Sequence, residues 1–392
     1  MQTHKRQYQV FLNWGVPVAA VLLALVVGAG FLSAAGANPW VAYRSMFYEA
    51  LGTRYGLTET LVKATPLLLV GLGICIAFRT GMINIGAEGQ MIVGAISGTT
   101  CALLFSGLPA ILLIPLTFLA GFLGGAVYGF IPGILKLHRI VNEILTTVML
   151  NNVALQLQYL LLRGPMMDPQ ELAYGTGYPQ SAPLVAAARL TRLIPRARVH
   201  SGLYVAVILA AVVFVLLWKT TVGYRMRTVG KNYEAAVYGG IRVKRYLVLS
   251  MVLAGGMAGL AGTIEVVGVH YRLLDGVSAG YGFSGIVAAL FGQLHPLGTI
   301  PASFFFGALL FGAERLQRSV GVPAAMVYVI QGLVVVFVVS SDYLSRKFLQ
   351  ARVDTEAKRR RQEGDAEAGG SSVAAERNQV GQNGAEEERP SS

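Results

Sequence analysis

Long apolar runs recur throughout this chain of 392 residues, and they constrain its fold more than any other feature. Several runs reach roughly 17–25 residues, the length that a helix needs to cross a hydrocarbon core of about 30 Å. Only 13% of the residues are charged, and the mean hydropathy is +0.57. A soluble domain carries about a quarter charged residues. The sequence therefore predicts an all-α polytopic membrane protein, since a helix satisfies its own backbone polar groups in lipid.

The apolar pattern predicts about ten membrane segments. The eighth and ninth are short and flank a polar break at residues 295–298, so we expect broken or re-entrant helices there. The first is longer than a signal-peptide core of about 7–15 residues, and we expect it to be retained. The segments are 14–32, 61–78, 83–105, 109–131, 141–162, 202–218, 247–268, 282–294, 299–314 and 323–340.

The basic residues predict the orientation of the chain in the cell (inner) membrane, which it crosses several times. An even number of segments places both ends on one side, and the basic loops assign that side to the cytoplasm. We expect a cytoplasmic N-terminus (1–13), a transmembrane domain (14–345) and a disordered, charged cytoplasmic tail (346–392). The loop 163–201 falls outside although it holds five arginines, which disagrees with the rule. We expect part of it, Leu184–Val199, to lie flat on the outer surface.

Composition and motifs exclude several classes of function. The net charge of +12 does not indicate nucleic-acid binding, because the positive residues lie mainly in loops and tails, where they orient spans and meet anionic lipid. Cys75 and Cys101 lie within apolar runs and lack the spacing of metal ligands. The sequence has no P-loop, HExxH or GxSxG motif. We therefore expect no enzyme, metal site or cofactor, and a partner must supply any energy for pumping.

The loop 219–246, which separates two apolar runs, carries seven Lys/Arg and a single acid, Glu234. Such a short basic loop is typical of the cytoplasmic side. Asn232 can cap a short helix, Glu234 suits its first turn, and Gly239-Gly240 can end it. The two alanines after Glu234 give this helix a low-profile face. We predict a docking element for another protein, and we call 219–246 the docking loop.

A polar cluster marks the start of the third predicted segment, at Asn84–Gln90. Asn84 and Glu88 are one helical turn apart and share a face. A carboxylate within the membrane is costly unless it is paired or hydrated, and it therefore indicates function. Two alternatives are open. Glu88 lines a path for a solute, or it pairs with a base such as Arg79 and ties spans together.

The fifth segment carries a polar stripe. At 100° per residue, Glu143, Thr147, Asn151 and Gln158 fall within a sector of about 80°. Such a stripe faces a cavity or a neighbouring helix rather than lipid. We favour a path for a polar solute, because carboxamides and hydroxyls donate and accept hydrogen bonds and suit sugar hydroxyls and nucleobase edges. A hydrogen-bonded seam between helices is the alternative.

Glycines four residues apart predict close approach of helix backbones. We interpret this spacing as tight packing rather than as a binding site. The glycines concerned are Gly94 and Gly98, Gly121, Gly125 and Gly129, and Gly255 and Gly259.

Four stretches together resemble the permease subunits of bacterial ATP-binding-cassette (ABC) importers, in the branch shared by ribose-type, branched-chain amino-acid and nucleoside systems. The resemblance covers about residues 58–340 in consistent order, and NIGAEGQ with VNEILTTVMLNN looks most like the nucleoside-type members. The stretches are GLGICIAFRTGMINIGAEGQMIVGA, VNEILTTVMLNN, RTVGKNYEAAVYGG and GFSGIVAALFGQLHPLGTIPASFFFGALLFG.

This resemblance implies a transmembrane permease subunit that translocates nucleosides. A simple-sugar ABC permease and an ion-coupled secondary transporter are the alternatives. The implied partners are cytoplasmic ATPase subunits, which use the ATP, a second permease subunit of the same or a similar chain, and an extracytoplasmic solute-binding protein. The resemblance assigns ATPase coupling to Gly230, Asn232, Glu234, Ala235, Ala236 and Gly240. It places Asn84, Glu88, Gln90, Glu143, Thr147, Asn151 and Asn152 along the translocation route.

Overall fold

The computed structural model describes residues 19–20, 22–34, 36, 38–137, 141–175 and 177–320, with a few positions between 329 and 340. The fold set out below belongs to the unit 21–338. Within the described residues the secondary structure is helical, and no strand forms beyond two isolated β-bridges. The all-α prediction is confirmed. The predicted N-terminus 1–13, the tail and most of the tenth segment lie outside the described residues.

The helices are numbered in chain order. They are α1 (Leu22–Ala34), α2 (Pro39–Phe47), α3 (Arg54–Arg79), α4 (Ala87–Leu104), α5 (Ala110–Leu137), α6 (Glu143–Leu162), α7 (Pro169–Tyr174), α8 (Gly202–Lys219), α9 (Thr221–Lys231), α10 (Tyr233–Tyr238), α11 (Val243–Glu265), α12 (Tyr281–Phe291) and α13 (Pro296–Val320).

Six helices of the described part are long and apolar enough to cross a membrane: α3, α5, α6, α8, α11 and α13. Two more, α1 and α12, are apolar but shorter. The predicted count of about ten segments is therefore not confirmed. The prediction of a short ninth segment is wrong, because α13 runs for 25 residues. The eighth is a half-helix: α12 has 11 residues, about 16 Å, or half of a bilayer core.

Side-chain caps begin several helices at the positions that local chemistry dictates. The hydroxyl of Thr53 accepts a hydrogen bond from the N–H of Gly56 at 2.9 Å, at the start of α3. The carboxamide of Asn142 accepts one from Ile144 at 2.9 Å, at the start of α6. Each cap satisfies a backbone donor that has no partner within its own helix.

The centre of the fold is a tight contact among α4, α5 and α11. A Cβ added at Gly94 would lie 2.5 Å from the carbonyl carbon of Gly259. One added at Gly125 would lie 2.7 Å from the Cα of Gly259. Ordinary van der Waals contact begins at 3.4 Å, so only glycine allows these backbones to approach so closely. The tight-packing interpretation of the glycine spacing is supported.

The loop 163–201 folds back onto the segment that follows α11. Backbone hydrogen bonds join Ser181 to Leu273, Leu184 to Tyr271 and Leu190 to Val267. The Leu184 and Leu190 side chains are buried, so the apolar side of the predicted flat segment packs inward.

Three of the five arginines of this loop form hydrogen bonds or an ion pair within the protein. Arg198 forms a bidentate ion pair with the buried Glu59, and its Nε donates to Oε1 at 2.9 Å. Arg189 donates to the carbonyl of Leu184, and Arg192 donates to the hydroxyl of Tyr271. These contacts give a structural reason for arginines in a loop that the basic-residue rule does not accommodate.

Candidate translocation and docking sites

The start of α4 is a closed hydrogen-bond network. The Asn84 carboxamide donates to Oε1 of Gln90 at 2.9 Å and accepts from the N–H of Gly86 at 2.9 Å. Both side chains are buried, and their polar atoms satisfy each other. In this conformation Asn84 and Gln90 shape the turn before α4 rather than face an open space.

The polar stripe of α6 lies against this turn. Oδ1 of Asn151 accepts from the N–H of Gly89 at 2.8 Å, and its Nδ2 donates to the carbonyl of Ile85 at 2.9 Å. The Thr147 hydroxyl donates to the carbonyl of Glu143 at 2.7 Å, and the Glu143 carboxylate pairs with Lys136. The buried part of the stripe therefore forms the hydrogen-bonded seam that was the alternative interpretation. A solute contact for these residues stays a prediction.

Asn152 lies on a different face of α6 from the seam. Its side chain is exposed, and its Nδ2 donates weakly to the carbonyl of Val148 at 3.4 Å. Gln156, four residues later, is exposed on the same face. The sequence interpretation missed Gln156, although its spacing from Asn152 was a usable signal. Carboxamides on the open face of a membrane helix indicate a cavity or a protein partner rather than lipid.

Glu88 binds the N-terminus of the half-helix α12. Its two carboxylate oxygens accept hydrogen bonds from the N–H groups of Gly280 at 3.0 Å and Gly282 at 2.7 Å. The Ser278 hydroxyl and the Phe283 N–H also face it. A carboxylate is favourable there because the first N–H groups of a helix lack intrahelical partners and the helix dipole is positive at that end. Glu88 thus ties α4 to α12.

Arg79 binds the other end of α12. Its Nε donates to the carbonyl of Leu294 at 3.0 Å, and its Nη2 donates to the carbonyl of Gln293 at 2.9 Å. The guanidinium also lies 5.6 Å from the centre of the Trp218 ring. These carbonyls lie two and three residues beyond Phe291, the last residue of α12, and the helix dipole favours a cation near that end.

The docking loop contains the predicted short helix, α10. Oδ1 of Asn232 accepts from the N–H of Ala235 at 3.0 Å, and Glu234 lies in the first turn. The helix ends at Gly239, and Gly240 has a φ of 72°, which glycine adopts without strain. The prediction of a capped helix at this position is confirmed.

The prediction that both alanines form an accessible face of α10 holds for one of them only. Ala235 is exposed, but Ala236 is fully buried and faces the permease. The exposed apolar groups are aromatic and β-branched instead: Tyr238 is 92% exposed, and Tyr233 and Val237 are about half exposed. These side chains were missed because a six-residue helix has no periodicity that tells its faces apart.

Gly230, predicted to couple to the ATPase, faces the permease as well. A Cβ at this position would lie 2.8 Å from the carbonyl carbon of Arg79 and 2.9 Å from the nitrogen of Gly81. Gly81 itself has a φ of 85°. The docking loop therefore contacts the α3–α4 turn (80–86) backbone to backbone.

The described residues contain no group of three or more His, Cys, Asp or Glu side chains that could hold a metal ion. Beside the charged groups of Arg79, Glu88 and Glu143, which are bound by protein partners, the polar groups of the site are carboxamides, hydroxyls and backbone amides. They suit hydrogen bonding to an uncharged polar solute.

A family model described as "Branched-chain amino acid transport system / permease component" matches residues 56–339. The chain belongs to this family. It is an integral membrane protein and a permease component of the ABC importer class, as the sequence resemblance implied. The family assignment favours an ATP-dependent partner system over the ion-coupled alternative.

Curated relatives match along most of their length. A glucose ABC transporter permease protein of Haloferax volcanii, TsgB13, is 40% identical over 353 residues, which cover 87% of this chain and 91% of the relative. The guanosine ABC transporter permease protein NupP of Bacillus subtilis is 33% identical and covers 83% of this chain and 93% of the relative. The nucleoside ABC transporter permease protein NupB of Lactococcus lactis is 33% identical over 82% and 90%.

Proposed function

We propose that this permease translocates nucleosides across the cell membrane, with ATP hydrolysed by its partner subunits. Two relatives named for guanosine and nucleoside transport align with more than four fifths of the chain. The sugar alternative has a specific observation in its favour, because the relative named for glucose is 40% identical. A nucleoside carries both a sugar and a base, so its base is the group that distinguishes the two candidates.

The observation that carries the proposal is the exposed carboxamide pair on α6, Asn152 and Gln156. A carboxamide presents one acceptor and two donors, which match the alternating donors and acceptors of a nucleobase edge. The apolar residues next to this pair, Met149 and Val153, are about half exposed and offer a surface for the base itself. This combination supports a path that binds solute weakly and releases it.

The partners follow from the exposed surfaces. The aromatic face of α10, with Tyr233 and Tyr238, suits a pocket on a cytoplasmic ATPase subunit, because buried tyrosine side chains are frequent anchors of interfaces. The polar face of α6 suits contact with a second permease subunit, of this or a similar chain, which would close a path shielded from lipid. A solute-binding protein would deliver the nucleoside on the outer side.

Uptake measurements test the proposal. Vesicles that hold the permease, its ATPase subunits and its binding protein are given labelled guanosine or glucose, with ATP inside and a protonophore added. We expect ATP-dependent guanosine uptake that excess unlabelled nucleoside inhibits and glucose does not. Uptake of glucose with no response to nucleosides would establish the sugar alternative instead.

A substitution tests whether the path runs along α6. Asn152→Leu removes the carboxamide while keeping the side-chain size, and we expect the KM for guanosine to rise about tenfold, equivalent to one lost hydrogen bond of about 1.4 kcal/mol. Ile208→Ala, on α8 and 61% exposed, is the control and should leave the KM unchanged. An unchanged KM in the Asn152 variant would remove this residue from the path.

A further inference from the structure

We propose that Arg79 and Glu88 are positioning residues that make the half-helix α12 move with the docking loop. The proposal rests on the assignment to the ABC permease class and does not depend on which solute is carried. It goes beyond docking, because it states which contacts carry movement from the docking loop to the middle of the membrane.

One short segment binds both ends of α12. Arg79, the last residue of α3, donates to the carbonyls of Gln293 and Leu294. Glu88, in the first turn of α4, accepts from Gly280 and Gly282. Because the two residues are only nine positions apart, any displacement of 79–88 acts on α12 at both termini. Hydrogen bonds to charged groups are stronger than neutral ones, so these contacts transmit force without separating.

The same segment is held by the docking loop. Gly230, on α9, packs against the backbone of Arg79 and Gly81 with no side chain between them. A contact between two backbones cannot be absorbed by rotation of a side chain. A displacement of α9 by a docked ATPase therefore displaces the α3–α4 turn directly.

The backbone on either side of α12 adopts left-handed conformations. Before the helix, Ala279 has a φ of 44°, and after it Gln293 and Leu294 have φ values of 56° and 52°. These residues are not glycine, and left-handed backbone at such residues costs of order 1 kcal/mol and persists where the surroundings hold it. Phe283, 48% exposed, lies on the first turn of α12, at the end that would open or close the path.

A distance measurement tests the proposal on the assembled transporter. Spin labels are placed through Phe283→Cys on α12 and Tyr174→Cys on α7. The Tyr174 side chain is 95% exposed. The buried Cys75 and Cys101 are replaced by alanine. We expect the label distance to shift when a non-hydrolysable ATP analogue binds to the ATPase subunits. In Arg79→Gln this shift should be lost while assembly and basal ATP hydrolysis persist.

Two variants separate positioning from folding. Arg79→Lys keeps the charge and one donor, and should restore part of the shift. Arg54→Gln removes an exposed arginine from the first turn of α3, the helix that ends at Arg79, and should leave the shift intact. If Arg79→Gln fails to assemble, Glu88→Gln, which keeps one acceptor oxygen, takes its place.

The measurement needs no solute, so its outcome is independent of the nucleoside assignment. We also expect Arg79→Gln to lower the uptake of whichever of guanosine or glucose the parent carries by about tenfold, equivalent to about 1.4 kcal/mol of lost coupling. A nucleotide-dependent shift of the same size in Arg79→Gln as in the parent would overturn the proposal. So would labels in the parent that do not respond to nucleotide.

Discussion

The contact among α4, α5 and α11 predicts a large effect of a single methyl group at Gly259. In Gly259→Ala the new Cβ would lie 2.8 Å from the Cα and 2.9 Å from the nitrogen of Gly125, and it would also meet the carbonyl oxygen of Gly121. The shortfall from van der Waals contact is about 0.6 Å at the Cα of Gly125 and larger at the carbonyl oxygen of Gly121, and every opposing atom belongs to the backbone. The helices must therefore separate, because no side chain can rotate away.

Overpacking of this kind costs about 1–3 kcal/mol. At about 2 °C per kcal/mol for a chain of this length, the midpoint of thermal unfolding should fall by roughly 2–6 °C. A thiol-reactive fluorogenic dye is a suitable assay, because Cys75 and Cys101 are buried and react when the fold opens. Gly30→Ala, a helical glycine with no atom within 4 Å of the added Cβ, is the matched control.

The control should leave the midpoint unchanged or raise it slightly, since alanine is the better helix former. An equal midpoint for Gly259→Ala and Gly30→Ala would refute the reasoning. It would mean that the backbones of α5 and α11 are farther apart in the membrane than the described contact requires.

Three further predictions follow from α10 and the loop 163–201. Ala235→Arg, on the exposed face of α10, should abolish uptake without blocking insertion, whereas Ala236→Arg should also lower thermal stability; normal uptake by the first variant would contradict the docking role. Arg198→Gln should destabilise the protein by about 3 kcal/mol, because it leaves the carboxylate of the buried Glu59 unpaired, and adding Glu59→Gln should recover much of the unfolding midpoint. Burial lowers the pKa of His200 from its ordinary value of 6.5. The folded state thus holds His200 neutral, so stability is complete above about pH 6.5 and decreases as the pH falls through the lowered pKa, a loss that thermal unfolding should show to be smaller in His200→Asn.

The pH prediction has a structural basis in one buried ring. Nδ1 of His200 accepts a hydrogen bond from the N–H of Gly202 at 3.2 Å, which requires that nitrogen to be unprotonated. The ring edge packs on Gly268, where an added Cβ would lie 2.7 Å away. A proton on Nδ1 would therefore break an existing contact in a site with little space for water.

Local chemistry made part of the site predictable. The cap at Asn232 and the glycines at 239 and 240 that end the helix depend only on residues within a few positions, so the sequence predicted α10 correctly. The glycine spacing likewise indicated close packing, because only a residue without a Cβ allows it. The resemblance to ABC permeases identified the family, because it lies in contiguous stretches of the sequence.

The partners of the polar side chains were not predictable in this way. Glu88 is bound by Gly280, 192 residues away along the chain, and nothing near Glu88 in sequence indicates this contact. The buried side of Ala236 and the exposed position of Gln156 depend equally on which helix lies alongside.

The sequence by itself determined that the chain crosses a membrane as helices, where its docking helix begins and ends, and which family it belongs to. Each of these depends on the length of the apolar runs, on helix capping or on a contiguous sequence pattern. Only the tertiary structure decided that the polar stripe of α6 divides into a buried seam and an open face, and that α12 is a half-helix held at both ends. Hydrogen bonds between distant residues select those arrangements, and they exist only once the helices are packed.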